Sequence, residues 1–456
     1  MRRSRILAAI LGILALAAVA AQEPATPISF FSDASPEALQ TIKASRDLQG
    51  KGLFSQAWNI LGTFDPDNRN GFVLAEKIRL AVEASVANGM MVSFGFVDLK
   101  EGQTIEELRA NPPDEQNIVD FNPWDAVKKL EESGEAVPPV LSYEMGNYLY
   151  VVNKDFGEAW VEDPNTVQTS AVEFFDRALS YNVFTPASIV RQSELLEGLE
   201  QYAGAENVLK KGMDAYPDIY RFKIQLAGLY NNLGRFDEVY PLVEPVIEKT
   251  TDDDEKYNAY IEGIKAGLNT MNQDKLDRYM DGLELAFPTE YVPLLIRHLV
   301  AVRLNQPENA AAAADKVTEK YQADPNIVRS LLSTWLNADE AQAGFDYLNR
   351  MLEKHTDDKS MGTLLFYRAL MYAETAASPA DLQKGLDDLN AAASKFATVY
   401  EPGSPVFQTI EQLKTEWEQA IEGAAQQSQP DAESAASETY EEGSSTGTDA
   451  TSSASE

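Results

Sequence analysis

The sequence predicts an all-α chain assembled from stacked helix–turn–helix units. Three observations carry this expectation. Between residues 36 and 423 the apolar residues recur mostly at three- and four-residue steps, the spacing of one helix face. Small, aromatic and proline marks return at intervals near 34 residues. The 456 residues include no cysteine, so no disulfide supports the fold and packing must carry its stability.

The first segment reads as an address. Arg2, Arg3 and Arg5 precede an unbroken apolar run, Ile6 to Ala20, which ends in small residues before Gln22, Glu23 and Pro24. This is the pattern of a secretory signal peptide, with cleavage expected after Ala20 or Ala21. The run is short of the roughly 20 apolar residues that a spanning helix needs. Residues 1–21 are therefore read as a removable leader and 22–35 as an extended linker. A periplasmic or secreted location follows, with no stable membrane insertion after cleavage.

The array is clearest from Leu226 to Ile247. Leu226, Tyr230 and Leu233 form one stripe, Gly234 makes the turn, and Phe236, Val239, Val243 and Val246 form the second stripe. Pro241 and Pro245 predict a kink or break in that second helix. A shift of 34 residues back repeats the pattern: Ser193, Leu196, Leu199, Tyr202, Ala205 and Leu209 match Ala227, Tyr230, Leu233, Phe236, Val239 and Val243. Tyr216-Pro217 then stops the helix. On these residues the chain resembles the tetratricopeptide repeat (TPR) family. The resemblance implies a right-handed superhelix with a concave face. Near the start, Gly52-x-Phe54-x-x-Ala57 has the family's spacing, preceded by a helix over Pro36 to Leu48 with Pro at an early position.

Further pairs are expected downstream, closing at Phe287-Pro288 and Asp324-Pro325 and continuing to a final helix over Val406 to Glu422. Upstream, Val140 to Val152 and Ser170 to Ser180 pair around an inserted loop. Residues 36–135 form an N-terminal helical region with one repeat-like unit and an irregular insertion, and 136–423 form the array. Within the insertion, Val92 to Asp98 reads either as a short strand or as continued helix. Thr104 and Asn122 cap short helices. Residues 424–456 contain seven acidic and no basic side chains and are read as a disordered, solubilising tail.

Composition excludes several chemistries. With 72 acidic and 38 basic residues the net charge is −34, and −37 for residues 22–456. A surface of this sign repels phosphates, so nucleic acid is not an expected partner. Thiolate metal sites are impossible. His298, on an apolar helix, and His355, at a helix end, are expected to be structural. No phosphate loop, dinucleotide fingerprint or His-Glu-x-x-His helix occurs. The Gly443-Ser444-Ser445-Thr446-Gly447 string lies in the tail, without the strand and helix of a nucleophile elbow. Asp65 to Gly71 with Glu76 resembles a calcium loop, but Arg69 and Asn70 stand where an oxygen ligand and a glycine belong, so a turn is expected. The acids of Thr250 to Glu255 are expected to cap a helix. No cofactor, metal or catalytic residue is assigned, and the chain is read as a non-enzyme.

The resemblance places a binding surface on the first helices of successive units: Val190, Glu194 and Glu197, then Arg221, Ile224, Gly228, Asn231 and Asn232. The Lys and Asn clamp that some family members close on a C-terminal carboxylate is missing, since Val190 and Glu194 stand in its place. The glutamates suit a basic or polar segment instead. The leading expectation is an exported, non-catalytic scaffold binding a protein or peptide in the bacterial envelope. The alternative is a periplasmic small-ligand binder working with a transport system, with Trp58, Tyr148, Tyr150 and Trp160 lining its pocket.

Overall fold

A computed structural model describes residues 26–427, with side chains to Ala424. The leader with its cleavage site, and the tail string at 443–447, lie outside the described residues. Two compact units divide the chain, meeting between Tyr279 and Met280. Each is taken by itself.

The first unit opens with a 3-10 turn, Ile28–Phe31, followed by α1 (Pro36–Gln49), α2 (Phe54–Phe64) and α3 (Gly71–Ala84). A three-stranded antiparallel sheet comes next, in the order β1 (Ala87–Gly89), β2 (Ser93–Phe96), β3 (Asn117–Asp120). Between β2 and β3 lies α4 (Ile105–Ala110), and α5 (Pro123–Glu132) follows. The helices then run α6 (Pro139–Phe156), α7 (Pro164–Ser180), α8 (Pro186–Gly198), α9 (Tyr202–Ala215), α10 (Arg221–Asn232), α11 (Tyr240–Lys249) and α12 (Asp253–Thr270). Helix α13 (Gln273–Ala286) contains the boundary. The second unit continues with α14 (Val292–Arg303), α15 (Pro307–Tyr321), α16 (Pro325–Asn337), α17 (Ala341–Lys354), α18 (Asp358–Glu374), α19 (Pro379–Phe396) and α20 (Pro405–Gln427). Helix α20 runs past Ala424, into the segment read from sequence as tail.

Helix starts follow local chemistry. Pro occupies an early position in many of them, where its missing N–H costs nothing. Ser35, Asn70, Asp163, Asp324 and Asp357 accept backbone N–H bonds at the caps. Thr104 with Glu107 forms a capping box. The break expected at the prolines after Gly234 is present. Phe236–Glu238 is a 3-10 turn, and α11 starts only at Tyr240. Leu233 departs from its expected stripe: it caps α10 and is exposed.

Each pair packs on its neighbours in sequence. Helix α6 meets α7 and α8, α10 meets α11 and α12, α16 meets α17 and α18. Such nearest-neighbour stacking buries faces that one pair alone leaves open. Close approach rests on glycines facing aromatic rings. A Cβ at Gly146 would stand 2.7 Å from the Phe175 ring, at Gly263 2.7 Å from Tyr279, and at Gly362 2.6 Å from Phe396. In each case the glycine is on the first helix of a pair and the ring on the second.

The insertion at residues 85–138 leaves the array intact, because α3 packs directly on α6. Gly71, at the start of α3, lies against Pro138, just before α6. The two helix starts therefore stand side by side. The sheet and α5 return the chain from the end of α3 to the start of α6, the task a second helix performs elsewhere. Of the two readings left open for Val92 to Asp98, the strand is the one present. Trp58 stacks on Phe96, and Phe121 meets Trp58 edge-on. Met90 and Met91 turn the β1–β2 hairpin in left-handed backbone (φ 48° and 57°), which side chains of their size rarely adopt. Their carbonyls accept from Trp160 Nε1 (2.8 Å) and the Tyr148 hydroxyl (3.0 Å), which fixes the turn.

Gly146→Ala and Gly362→Ala should each overpack their pair. The expected loss is about 1–3 kcal/mol, seen as a lower urea midpoint with unchanged slope.

Candidate functional site

The surface expected to bind a partner is formed in the first unit by α6, α8, α10 and α12. Its side chains join helix to helix. Tyr150 on α6 donates to Glu194 Oε2 on α8 (2.6 Å), and Arg191 on α8 donates to Asn147 Oδ1 on α6 (2.8 Å). The Arg191 guanidinium also lies over the Tyr150 ring at 5.3 Å. On α10, Asn231 Nδ2 donates to Glu262 Oε2 (2.8 Å) and to the Glu262 carbonyl on α12, and Lys265 pairs with Glu262 at 2.7 Å.

Glu194, Arg221 and Asn232 are exposed, and Glu197, Ile224, Gly228 and Asn231 are half-buried. Val190 is a correction: only 5 % exposed, it turns into the packed interior. Its place on α8, one step from the Arg191 that faces α6, puts it on the core side of the helix. Burial, then the neighbouring Glu194 charge, pushes the Glu197 carboxyl up. The oxygens Gln225 Oε1 and Asn231 Oδ1 on α10, sealed beneath the surface, have no hydrogen-bond partner among the described residues. Such oxygens cost about 1–3 kcal/mol each when left dry.

A second polar cluster, not legible in the sequence, lies between α1, α3 and α6. Glu76 is fully buried and receives both Arg46 and Arg79, with closest contacts of 2.7 and 2.6 Å. Burial opposes its charge, but the two guanidinium groups hold the carboxyl below its usual range. Arg79 continues to Glu83 and Gln49. Glu144 on α6, 2 % exposed, takes a hydrogen bond from the Thr26 hydroxyl (2.6 Å) rather than from a guanidinium. Burial and the Glu83 charge push it up to about 8.

The loop that resembled a calcium site is closed by an internal cation. Lys77 Nζ donates to Asn68 Oδ1 (2.7 Å) and to the Asp65 carbonyl, while Asp65 accepts from the Arg69 and Asn70 N–H groups. Glu76, the twelfth residue of the loop pattern, points to Arg46 and Arg79 instead. Burial pushes the Lys77 ammonium down to about 8, against the charges of Asp65 and Asp67. Among the described residues no group of three or more His, Cys, Asp or Glu is arranged to hold a metal. Thr250 and Asp252 bond Glu255 at the start of α12, a capping arrangement.

His298 is buried in the second unit, with Nδ1 3.0 Å from the Ala310 carbonyl and Nε2 3.3 Å from the Leu331 carbonyl. Its ring meets Trp335 edge-on, and burial depresses its basicity. His355 closes α17 through its backbone N–H to Met351. Trp58, Tyr148 and Trp160 are core residues, exposed by 7 %, 0 % and 6 %.

Neither a family model nor a curated protein sequence matches the chain. The solved structures to which it is similar include tetratricopeptide repeat proteins. One is a tetratricopeptide repeat protein from Parabacteroides merdae, at 11 % identity over 60 % of this chain and 98 % of that one, with a TM-score of 0.35. Yeast Tom70 aligns at 13 % identity over 88 % and 85 % of the two chains, with a TM-score of 0.37. The Naa15/Naa10 structure with HypK-THB aligns at 12 % identity over 86 % and 58 %, with a TM-score of 0.42. These alignments fall below a TM-score of 0.5, so the fold described above rests on the helix packing itself.

Glu76→Gln should take from the buried Arg79 and the half-buried Arg46 the carboxylate they share. The expected destabilisation is about 3–5 kcal/mol, measured by urea unfolding of the whole chain.

Proposed function

We propose that the chain is an exported, non-catalytic scaffold of the cell envelope. It grips a donor-rich, basic segment of a partner protein on the first-helix surface of α6, α8, α10 and α12. The observation that carries this reading is the pair of carboxylates on α8, the exposed Glu194 and the half-buried Glu197. A segment carrying Lys or Arg supplies the opposite charge. The net charge of −34 favours the same partners at long range.

Export is supported by the basic and apolar leader with small residues at Ala20 and Ala21. Cleavage there leaves intact the anchored structure that begins at Thr26. Among the described residues no helix is long and apolar enough to cross a membrane. Small-ligand binding has less support. Trp58, Tyr148 and Trp160, three of the four aromatics that would line a pocket, pack in the interior, and the open depression near 630 Å³ lined by Thr41, Asn59, Ile60, Thr63 and Phe64 has no ionisable side chain.

Binding of labelled Lys/Arg-rich peptides to residues 22–456 tests the partner class, with acidic peptides as controls. Basic peptides should bind and weaken about tenfold or more between 50 and 500 mM salt. The Glu194→Gln/Glu197→Gln double variant should weaken them further. Equal binding of acidic peptides, or none at all, sinks the reading. Intact mass of the protein from a periplasmic fraction should show a start at Ala21 or Gln22.

A further inference from the structure

The cluster between α1, α3 and α6 has one carboxylate more than it has cations. Arg46 and Arg79 supply two positive charges. Glu76 takes contacts from both, and Glu83 pairs with Arg79. Glu144 is the third carboxyl, deep in the same interior. Its nearest donor comes from Thr26, in the segment that leads into the 3-10 turn.

That segment is held between α1 and α6. Thr26 is 3 % exposed, and its carbonyl accepts from Arg46 Nη1 on α1 (2.6 Å) while its hydroxyl reaches Glu144 on α6. Phe30 meets the Tyr143 ring edge-on at 5.6 Å. Phe31 is fully buried, with the Arg46 guanidinium 4.9 Å above its ring. The latch thus consists of two hydrogen bonds, two rings and one shared guanidinium, and Glu144 lies beneath it.

We propose that the segment Thr26–Phe31 is a strap whose closure is linked to a proton on Glu144: it closes over the protonated carboxyl and loosens when that carboxyl ionises. The charged groups facing Glu144 are Glu76, Arg79 and Glu83 from α3 and, behind Thr26, Arg46 from α1. From α8, Arg191 reaches Tyr143 and Asn147 on α6. On α5 and α7, Glu131 and Arg177 are exposed and pair with each other at 2.8 Å. Closing the strap removes water from Glu144 without giving it a cation, and this outweighs the Thr26 hydroxyl bond, which by itself favours the ionised carboxyl. Both guanidinium groups are taken up by Glu76, and Arg79 also by Glu83 at the exposed rim, so a charge on the buried Glu144 has no cation to meet it. Opening lets water reach the carboxylate and relieves the excess.

The sign follows from proton counts. The closed state keeps its proton up to a pH of about 8, while an open, hydrated Glu144 gives it up at a lower pH. In the interval between the two the closed state binds more protons, so raising the pH favours opening. Above about 8 both states are ionised and the dependence flattens. The inference stands apart from the proposed partner surface.

Hydrogen exchange of the full chain tests it, read at the Phe30, Ser32 and Ala34 amides, which donate to Pro27, Ser29 and Phe31. Rates are normalised to the intrinsic rate at each pH. Between pH 6 and 8.5 the opening constant at these amides should rise by about tenfold or more, then level off. Amides of α16 should not follow. Glu144→Gln, which removes the ionisation, should keep the strap protected at every pH. A flat profile in the unaltered protein, a rise shared with α16, or an unchanged rise in Glu144→Gln overturns the proposal. The first two readings need no variant, so misfolding of Glu144→Gln does not remove the test.

Discussion

The contact on which the array depends is the seat that a first-helix glycine makes for a second-helix ring. At Gly146, Gly263 and Gly362 even a methyl group would collide with the facing aromatic. The two axes therefore approach as closely as backbone allows, and the ring fills the space that a wider crossing would leave empty. The pair that results still has an apolar face, and only its neighbour can cover it. Cohesion therefore arises at many short-range contacts, which suits a chain without a disulfide.

Polar groups serve a different purpose in the two parts of the first unit. Along α6, α8, α10 and α12 they lie nearer the surface and join helix to helix, as Tyr150 does with Glu194 and Asn231 with Glu262. Between α1, α3 and α6 they are buried and nearly satisfied, and a segment of the same chain supplies the last contact through Thr26. Buried ion networks are a costly way to stabilise a fold. Their benefit here is orientation: Arg46 can serve Glu76 and the Thr26 carbonyl together only in one arrangement of α1, α3 and the strap.

Much of the fold was legible because it is periodic. The 34-residue echo, the small and aromatic marks and the prolines after Gly234 all describe local geometry, and local geometry is what short sequence windows contain. The site was less legible. Glu76 and Glu144 are two of 72 acidic residues, and nothing in their neighbours separates a buried carboxylate from a solvated one. For Glu76 the difference is made by Arg46 from α1 together with Arg79 of its own helix, and for Glu144 by the Thr26 segment lying over it. Val190 was misplaced for a related reason: on α8 a shift of one residue changes the face by about 100°. The motif at Asp65 to Gly71 had its answer close by, since Lys77, one residue past the twelve-residue pattern, fills the space with its ammonium.

The detour between α3 and α6 carries a further consequence. Its two ends are fixed by the contact of Gly71 with Pro138, and by α3 lying on α6. What runs between them must therefore close the circuit and also supply partners to the helices, since Phe96 stacks on Trp58 and the Met90 and Met91 carbonyls accept from Trp160 and Tyr148. A plain helix would close the same circuit without replacing those contacts, so the hairpin belongs to the unit's core and the left-handed turn at Met90 and Met91 is the place where its length is fixed.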